Sequence, residues 1–266
     1  MKRTLIFVLL CLLGVPSFGW GRLGHATIAE IAERHLTKRA KQNIERYTKG
    51  TPLWEYSHWM DDVVKTPPYD VKLAGWHASV CTPDCKCTPA VRLEVRGLRD
   101  AVSAMEFWRE CLSDLESVPD STVLLGIKCI IHMIGDFHCP AHVRFSDNVN
   151  DLKYPVSFFG KPMDTLHRVW DSKLIERGSG LVFADFREYA TRLDTWSRKD
   201  IRRATKGWAR EWFEDCARDV RPIVGTVPRG AELGQEFVEQ NIGLAELELR
   251  KAGYQLAKAL NVIFGK

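Results

Sequence analysis

The stretch Ile130-Ile131-His132-Met133-Ile134-Gly135-Asp136-Phe137-His138-Cys139-Pro140-Ala141-His142 sets two polar side chains, His132 and Asp136, four residues apart in an apolar run that reaches Phe137. Helical spacing stacks His132 and Asp136 on one face, and a helix this apolar is buried. A carboxylate without a partner is costly there, so Asp136 needs a hydrogen-bonded partner or a cation. Pro140 ends the helix, and His142, just beyond, can bend back toward the same place. His138 points to another side and belongs behind the ligands or at the surface. A second pair, His167 and Asp171, repeats the spacing. One such pair alone reads as an ordinary salt bridge, but two in a chain of eight histidines point to metal binding. Imidazole plus carboxylate suits zinc and leaves manganese and iron open, whereas calcium and magnesium take oxygen almost throughout. The donors outnumber what one tetrahedral ion uses, which implies a cluster of ions.

Outward from this segment, apolar periodicity predicts helices over 25–48, 54–64, 90–117, 121–138, 164–177, 183–194, 198–220 and 231–262. Residues 66–89, rich in Pro and Gly, are expected to be irregular. Tyr154, Val156, Phe158 and Phe159 suggest extended chain, a small hairpin ending at Gly160. The fold class is therefore mostly α, with at most a small β-hairpin near 150–160. No linker or repeat divides residues 20–266, so a single domain is expected.

Lys2 and Arg3 precede an apolar run from Leu5 to Val15, followed by Ser17 and Gly19, which reads as an export signal over residues 1–19, cut before Trp20. No later segment is apolar for long enough to span a bilayer, so a soluble protein, secreted or periplasmic, is expected. The net charge is +4, and loss of Lys2 and Arg3 leaves about +2, too little for a binder of nucleic acid that relies on charge alone. Cys11 falls in the leader. In an exported chain the default for Cys81, Cys85, Cys87, Cys111, Cys129, Cys139 and Cys216 is disulfides with at least one thiol left over. The tight Cys81/Cys85/Cys87 group reads as a stapled turn, with a thiolate zinc site as the rival. Arg202, Arg203 and Lys206 near Trp208 and Trp212 suggest either a nucleic-acid platform or a solvated face over packed tryptophans.

Five segments in order carry a resemblance: Trp20-Gly21 with His25; Trp59-Met60-Asp61; His77; His132 through Asp136 to His142; and Thr165-Leu166-His167-Arg168-Val169-Trp170-Asp171. With these the chain resembles the zinc-dependent, single-strand-specific nucleases of the fungal and plant type, which share their helical fold with bacterial zinc phospholipases C. The resemblance implies three zinc ions. Asp61, His77, His132 and Asp136 would hold one; His142, His167 and Asp171 a second; and the α-amino group and carbonyl of Trp20, with His25 and Asp136, a third. Asp61 and Asp136 would act catalytically through metal-bound water. The implied substrates are single-stranded DNA or RNA, cut to 5′-phosphate products, and 3′-nucleotides, handled by a monomer with no stable membrane association. Substrate contacts are expected from Asn150, Lys65 and Tyr154, with Phe158 or Phe159 as further candidates for stacking a splayed base.

The chain departs from that family at three places. Val80 stands where an acidic residue usually follows the histidine matching His77 by three. Val64 replaces a usual basic residue, with Lys65 beside it but about 100° away on a helix. Asn148-Val149-Asn150 replaces a Gly-Gly-Asn loop. Two other readings share these residues: a zinc phospholipase C or other phosphodiesterase, and a secreted metal- or nucleic-acid-binding protein of impaired activity.

Overall fold

The computed structural model describes residues 20–87, 100–147, 152–163 and 165–266. The proposed leader, the first part of the helix expected from 90, and Asn148 to Asn150 lie outside the described residues. The helices are α1 (Arg22–Arg34), α2 (Lys38–Thr48), α3 (Leu53–Tyr56), α4 (Trp59–Val63), α5 (Tyr69–Lys72), α6 (Ala101–Cys111), α7 (Asp120–Phe137), α8 (Leu166–Arg168), α9 (Leu174–Ser179), α10 (Phe186–Leu193), α11 (Arg198–Ala204), α12 (Ala209–Val220) and α13 (Gln235–Phe264). The protein is mostly α, as its periodicity predicts.

Helix α7 runs through the core. Ile127, Cys129, Ile130, Met133 and Ile134 are fully buried, so apolar residues on every side of the helix meet packed neighbours. The 30-residue α13 lies against α1, α7 and α9. Three predicted helices are each divided in two, the one over 54–64 into α3 and α4 around Ser57 and His58. The helix expected over 25–48 breaks at His35–Thr37, because Thr37 caps α2 by accepting from Ala40 N at 3.1 Å; a cap of this kind contributes about 1 kcal/mol and overrides the continuing period of Leu36. The helix expected over 198–220 breaks before Trp208, where Gly207 has φ +85°.

The segment expected to be irregular contains α5, a 3₁₀ turn at Ala74–His77 and strand β1 (Ser79–Cys81). Strand β1 pairs in parallel with β2 (Val143–Phe145), in the register Ser79 to Val143 and Val80 to Arg144. The hairpin is present as β3 (Val156–Phe158) and β4 (Lys161–Met163). Phe159 and Gly160 turn it at φ 51° and 70°, as a type I′ connection requires. A third strand, β5 (Glu232–Leu233), joins β3 in parallel.

The cysteine expectation is corrected: Cys81, Cys85, Cys87, Cys111, Cys129, Cys139 and Cys216 all carry free thiols. Six of them are buried as small apolar side chains, which satisfies packing without a covalent link. Trp208 and Trp212 are buried, and the Trp212 indole donates to Lys206 O at 3.0 Å, so this pair is core beneath a charged face.

Candidate metal centre

Seven separate elements deliver the histidines and carboxylates to one place. Helix α7 supplies His132 and Asp136, α4 supplies Asp61, and α1 supplies His25. The parallel pairing of β1 with β2 sets the residues just before each strand at the same end, which brings His77 to His142. His142 Nδ1 donates to His77 O at 2.5 Å. Helix α8 carries His167, and the wider π turn that follows, Val169–Lys173, carries Asp171; turns of this type recur at functional sites.

Asp136 is the hub. Its Oδ2 lies 2.8 Å from His77 Nδ1, 3.2 Å from His132 Nε2 and 3.7 Å from His142 Nδ1, while Oδ1 lies 3.3 Å from His25 Nε2. Asp61 Oδ1 stands 3.5 Å from His132 Nε2 and 3.9 Å from His77 Nδ1. On the other side, Asp171 Oδ2 is 3.3 Å from His167 Nε2 and Oδ1 is 3.9 Å from His142 Nε2. His132 Nδ1 donates to Ser57 O at 2.8 Å. A carbonyl only accepts, so His132 and His142 each carry a proton on Nδ1, and each Nε2 is turned toward the carboxylates. That is how an outer hydrogen bond prepares an imidazole for a metal.

Imidazole nitrogens set this close to carboxylates share a proton or a cation with them. Asp136 Oδ1, Asp171 Oδ2, Asp61 Oδ1 and both ring nitrogens of His25 are enclosed and receive no hydrogen bond, a state that costs more than 1 kcal/mol per group without some partner. Burial opposes charge on His132, yet the Asp136 and Asp61 carboxylates overcome it and raise its pKa well above the ordinary value. Burial also works against a charged Asp136, but His132 and His142 hold its pKa well below the ordinary value. Burial lowers His25, with His132 adding to the effect, and lowers His142 to about 4. Asp171 is driven well above the ordinary range by burial, against a hydrogen bond from Cys139. A polar cluster this dry and this rich in donors suits divalent ions. His25/His132/Asp136, Asp61/His77/His132 and Cys139/His142/Asp171 each converge closely enough to bind one.

The cluster is nearly closed to solvent: His132, Asp136 and Asp171 are 0% exposed, His77 is 5% and His167 is 7%, and the Asp61 side chain is the most open at 11%. Trp20 is fully buried at the start of the described chain, and Gly21 N donates to Asp171 O at 2.5 Å, which seats the first residues beside the second carboxylate.

The predicted substrate contacts fare differently. Lys65 is exposed, one residue beyond the buried Val64 that ends α4. The expectation for Tyr154 is corrected: its ring is 1% exposed and its hydroxyl donates to Val227 O at 2.7 Å, so it is core and presents no face to a base. Phe158 is buried too. Phe159 is partly open, under the Arg177 guanidinium at 4.3 Å, and helps line a groove with Lys161, Lys173 and Arg177. His138 is neither at the surface nor behind the ligands. It bonds Glu248 Oε2 at 2.6 Å and Gln255 Oε1 at 2.8 Å in a separate buried network, where the Lys251 ammonium already neutralises Glu248.

Sequence reasoning passed over four residues here. His58 sits 3.7 Å from Asp61 Oδ2 and edge-on to His25, and burial, with His25 beside it, lowers its pKa to about 3; its spacing of three from Asp61 was a readable signal. Cys139 Sγ donates to Asp171 Oδ1 at 3.4 Å. Arg144, opposite Val80 in register, has an enclosed Nε without a hydrogen bond. Gly135 leaves room for His25: a Cβ there would lie 2.6 Å from His25 Nδ1, and the two rings His25 and His132 stack at 4.3 Å. Gly135→Ala is expected to push His25 off its position and weaken binding of one ion about 10- to 100-fold, measured by competition with a chromophoric chelator, with unchanged helix content by circular dichroism.

Fold and site together define a helical protein whose interior pools histidine and aspartate side chains able to hold clustered metal ions. The S1/P1 nuclease profile matches residues 20–265, and the chain belongs to that family. It is 27% identical to Nuclease P1 of Penicillium citrinum across 92% of this chain and 98% of that protein. It is 25% identical to Nuclease S1 of Aspergillus oryzae across 93% and 92%, and 21% identical to Endonuclease 3 of Arabidopsis thaliana across 92% and 89%.

Proposed function

We propose that the protein is an exported, zinc-dependent phosphodiesterase that cuts single-stranded DNA or RNA to 5′-phosphate products and removes phosphate from 3′-nucleotides. The observation that carries this reading is the convergence of four histidines on the Asp136 carboxylate. The relatives are nucleases by name, which supports nucleic acid as the substrate. In this reading Asp61, His77, His132 and Asp136 hold one ion, His142, His167 and Asp171 a second, and Trp20, through its free amine and carbonyl, with His25 and Asp136 a third. Zinc, when bound, activates water as a nucleophile and stabilises charge on phosphate oxygens.

The chain's own residues do the rest. The Ser57 and His77 carbonyls fix the imidazole orientations. The more open Asp61, His77 and His167 mark the side from which a phosphate approaches. Arg144, two residues beyond His142 and opposite Val80 in the strand register, offers a guanidinium whose enclosed Nε has no hydrogen bond. The groove of Phe159, Lys161, Lys173 and Arg177 begins two residues past Asp171 and combines an aromatic ring with cations, as single-strand binding asks. Among the described residues no helix is long and apolar enough to cross a membrane.

The deciding assay incubates mature protein, beginning at Trp20, with single-stranded DNA, RNA, 3′-AMP and phosphatidylcholine, with and without chelator. Chelator-sensitive cutting of the polynucleotides is expected; cleavage of the lipid alone would overturn the proposal. An added residue in front of Trp20 removes the free amine. It is expected to lower activity on the order of 100-fold and the zinc count by one, read by elemental analysis of matched preparations.

A further inference from the structure

We propose that Cys139 is a thiolate ligand of the second ion in this chain, joining His142, His167 and Asp171 to give a sulfur, two nitrogens and an oxygen; the inference rests on the metal reading above. Cys139 is fully buried, in the bend between the end of α7 and the 3₁₀ turn that carries His142. Its Sγ lies 3.4 Å from Asp171 Oδ1, the same oxygen that faces His142 Nε2. Asp171 Oδ2, which faces His167, is enclosed and receives no hydrogen bond. Donor atoms of Cys139, His142 and Asp171 all lie within 4.8 Å of one another, close enough for a single ion to contact all three. Pro140 follows at once and rigidifies the bend, so Cys139 and His142 are held three residues apart with both donors turned to Asp171.

Chemistry favours the assignment. Zinc binds thiolate, imidazole and carboxylate in one tetrahedral set, and a soft sulfur adds preference for zinc over manganese. Binding replaces the thiol proton, now shared with Asp171, by the metal, and the proton leaves to solvent. The carboxylate and thiolate then balance both charges of the ion.

The test uses the full mature protein, stripped with chelator and reloaded with cobalt(II), with bound cobalt counted in the same sample. A sulfur-to-cobalt charge-transfer band in the near ultraviolet is expected, and Cys139→Ser should abolish it while Cys85→Ser leaves it unchanged. Cobalt bound without the band, or a band that survives Cys139→Ser, overturns the assignment and leaves the metal reading standing. No cobalt bound at all overturns both. X-ray absorption of the unsubstituted zinc protein covers the case in which Cys139→Ser fails to fold. A zinc–sulfur distance of about 2.3 Å is expected, and its absence in metal-loaded protein refutes the thiolate.

Discussion

Replacing Asp136 by Asn is expected to lower turnover of single-stranded DNA by roughly three orders of magnitude and to cost at least one bound ion. Asn matches Asp in volume, so the packing of α7 is kept and the change is electrostatic. Asp136 is the carboxylate that His25, His77, His132 and His142 all face, so its charge is what lets the donors around it share cations. A metal contributes several kcal/mol to charge stabilisation in the transition state, and about 4 kcal/mol is about a thousandfold in rate. The comparison is made on kcat/KM and zinc content together, with circular dichroism as the check on folding. A variant that keeps its full zinc content and loses less than tenfold in rate refutes the hub assignment.

Glu248→Gln should lower stability by about 3 kcal/mol, the lower end for breaking a buried charge pair, which corresponds to roughly 6–12 °C in Tm for a chain of this size. Glu248 is fully buried between His138 and Lys251. Burial disfavours its charge, but the His138 hydrogen bond and charge, followed by Lys251, overcome this and bring its pKa to about 2 from 4.5. A carboxyl depressed on folding stabilises above its unfolded value and loses that contribution as pH falls through the folded one. The stabilisation is therefore present above about pH 4.5 and is lost between there and about pH 2, an amount near 3 kcal/mol. Lys251 keeps Asp215 at 2.8 Å and a contact to Asp219, which places the effect at the lower end. Thermal melts from pH 2 to 6 in chelator separate this from metal loss: the wild-type slope in that window should flatten in the variant. Parallel slopes refute the account.

The sequence made the clustered histidines and carboxylates legible because a helix converts spacing into facing. His132 with Asp136, and His167 with Asp171, need only local geometry, and an apolar α7 settles that the first pair is buried. What lay beyond reach were partners distant in the chain. Nothing local to His142 says that its Nδ1 will meet the carbonyl of His77, since that contact depends on β1 and β2 pairing across more than sixty residues. Gly135 carries no signal of its own, as its importance is the space it leaves for His25. Tyr154 shows the limit of composition: an aromatic residue in a short extended segment serves a core or a ligand equally well, and only the contact with Val227 decides. Cys139 was read by compartment, where disulfides are the default, and its place in the bend between α7 and the turn that carries His142 was passed over.

The first and last helices lean on each other. Helix α1, which carries His25, packs against α13, and Asn261 accepts from Thr37 N at 2.7 Å while Asn43 donates to Phe264 O at 2.7 Å. Synthesis delivers a polypeptide from its amino end, so His25 emerges early and waits for support that is made much later. The histidine and carboxylate cluster is therefore buttressed only once α13 has been made.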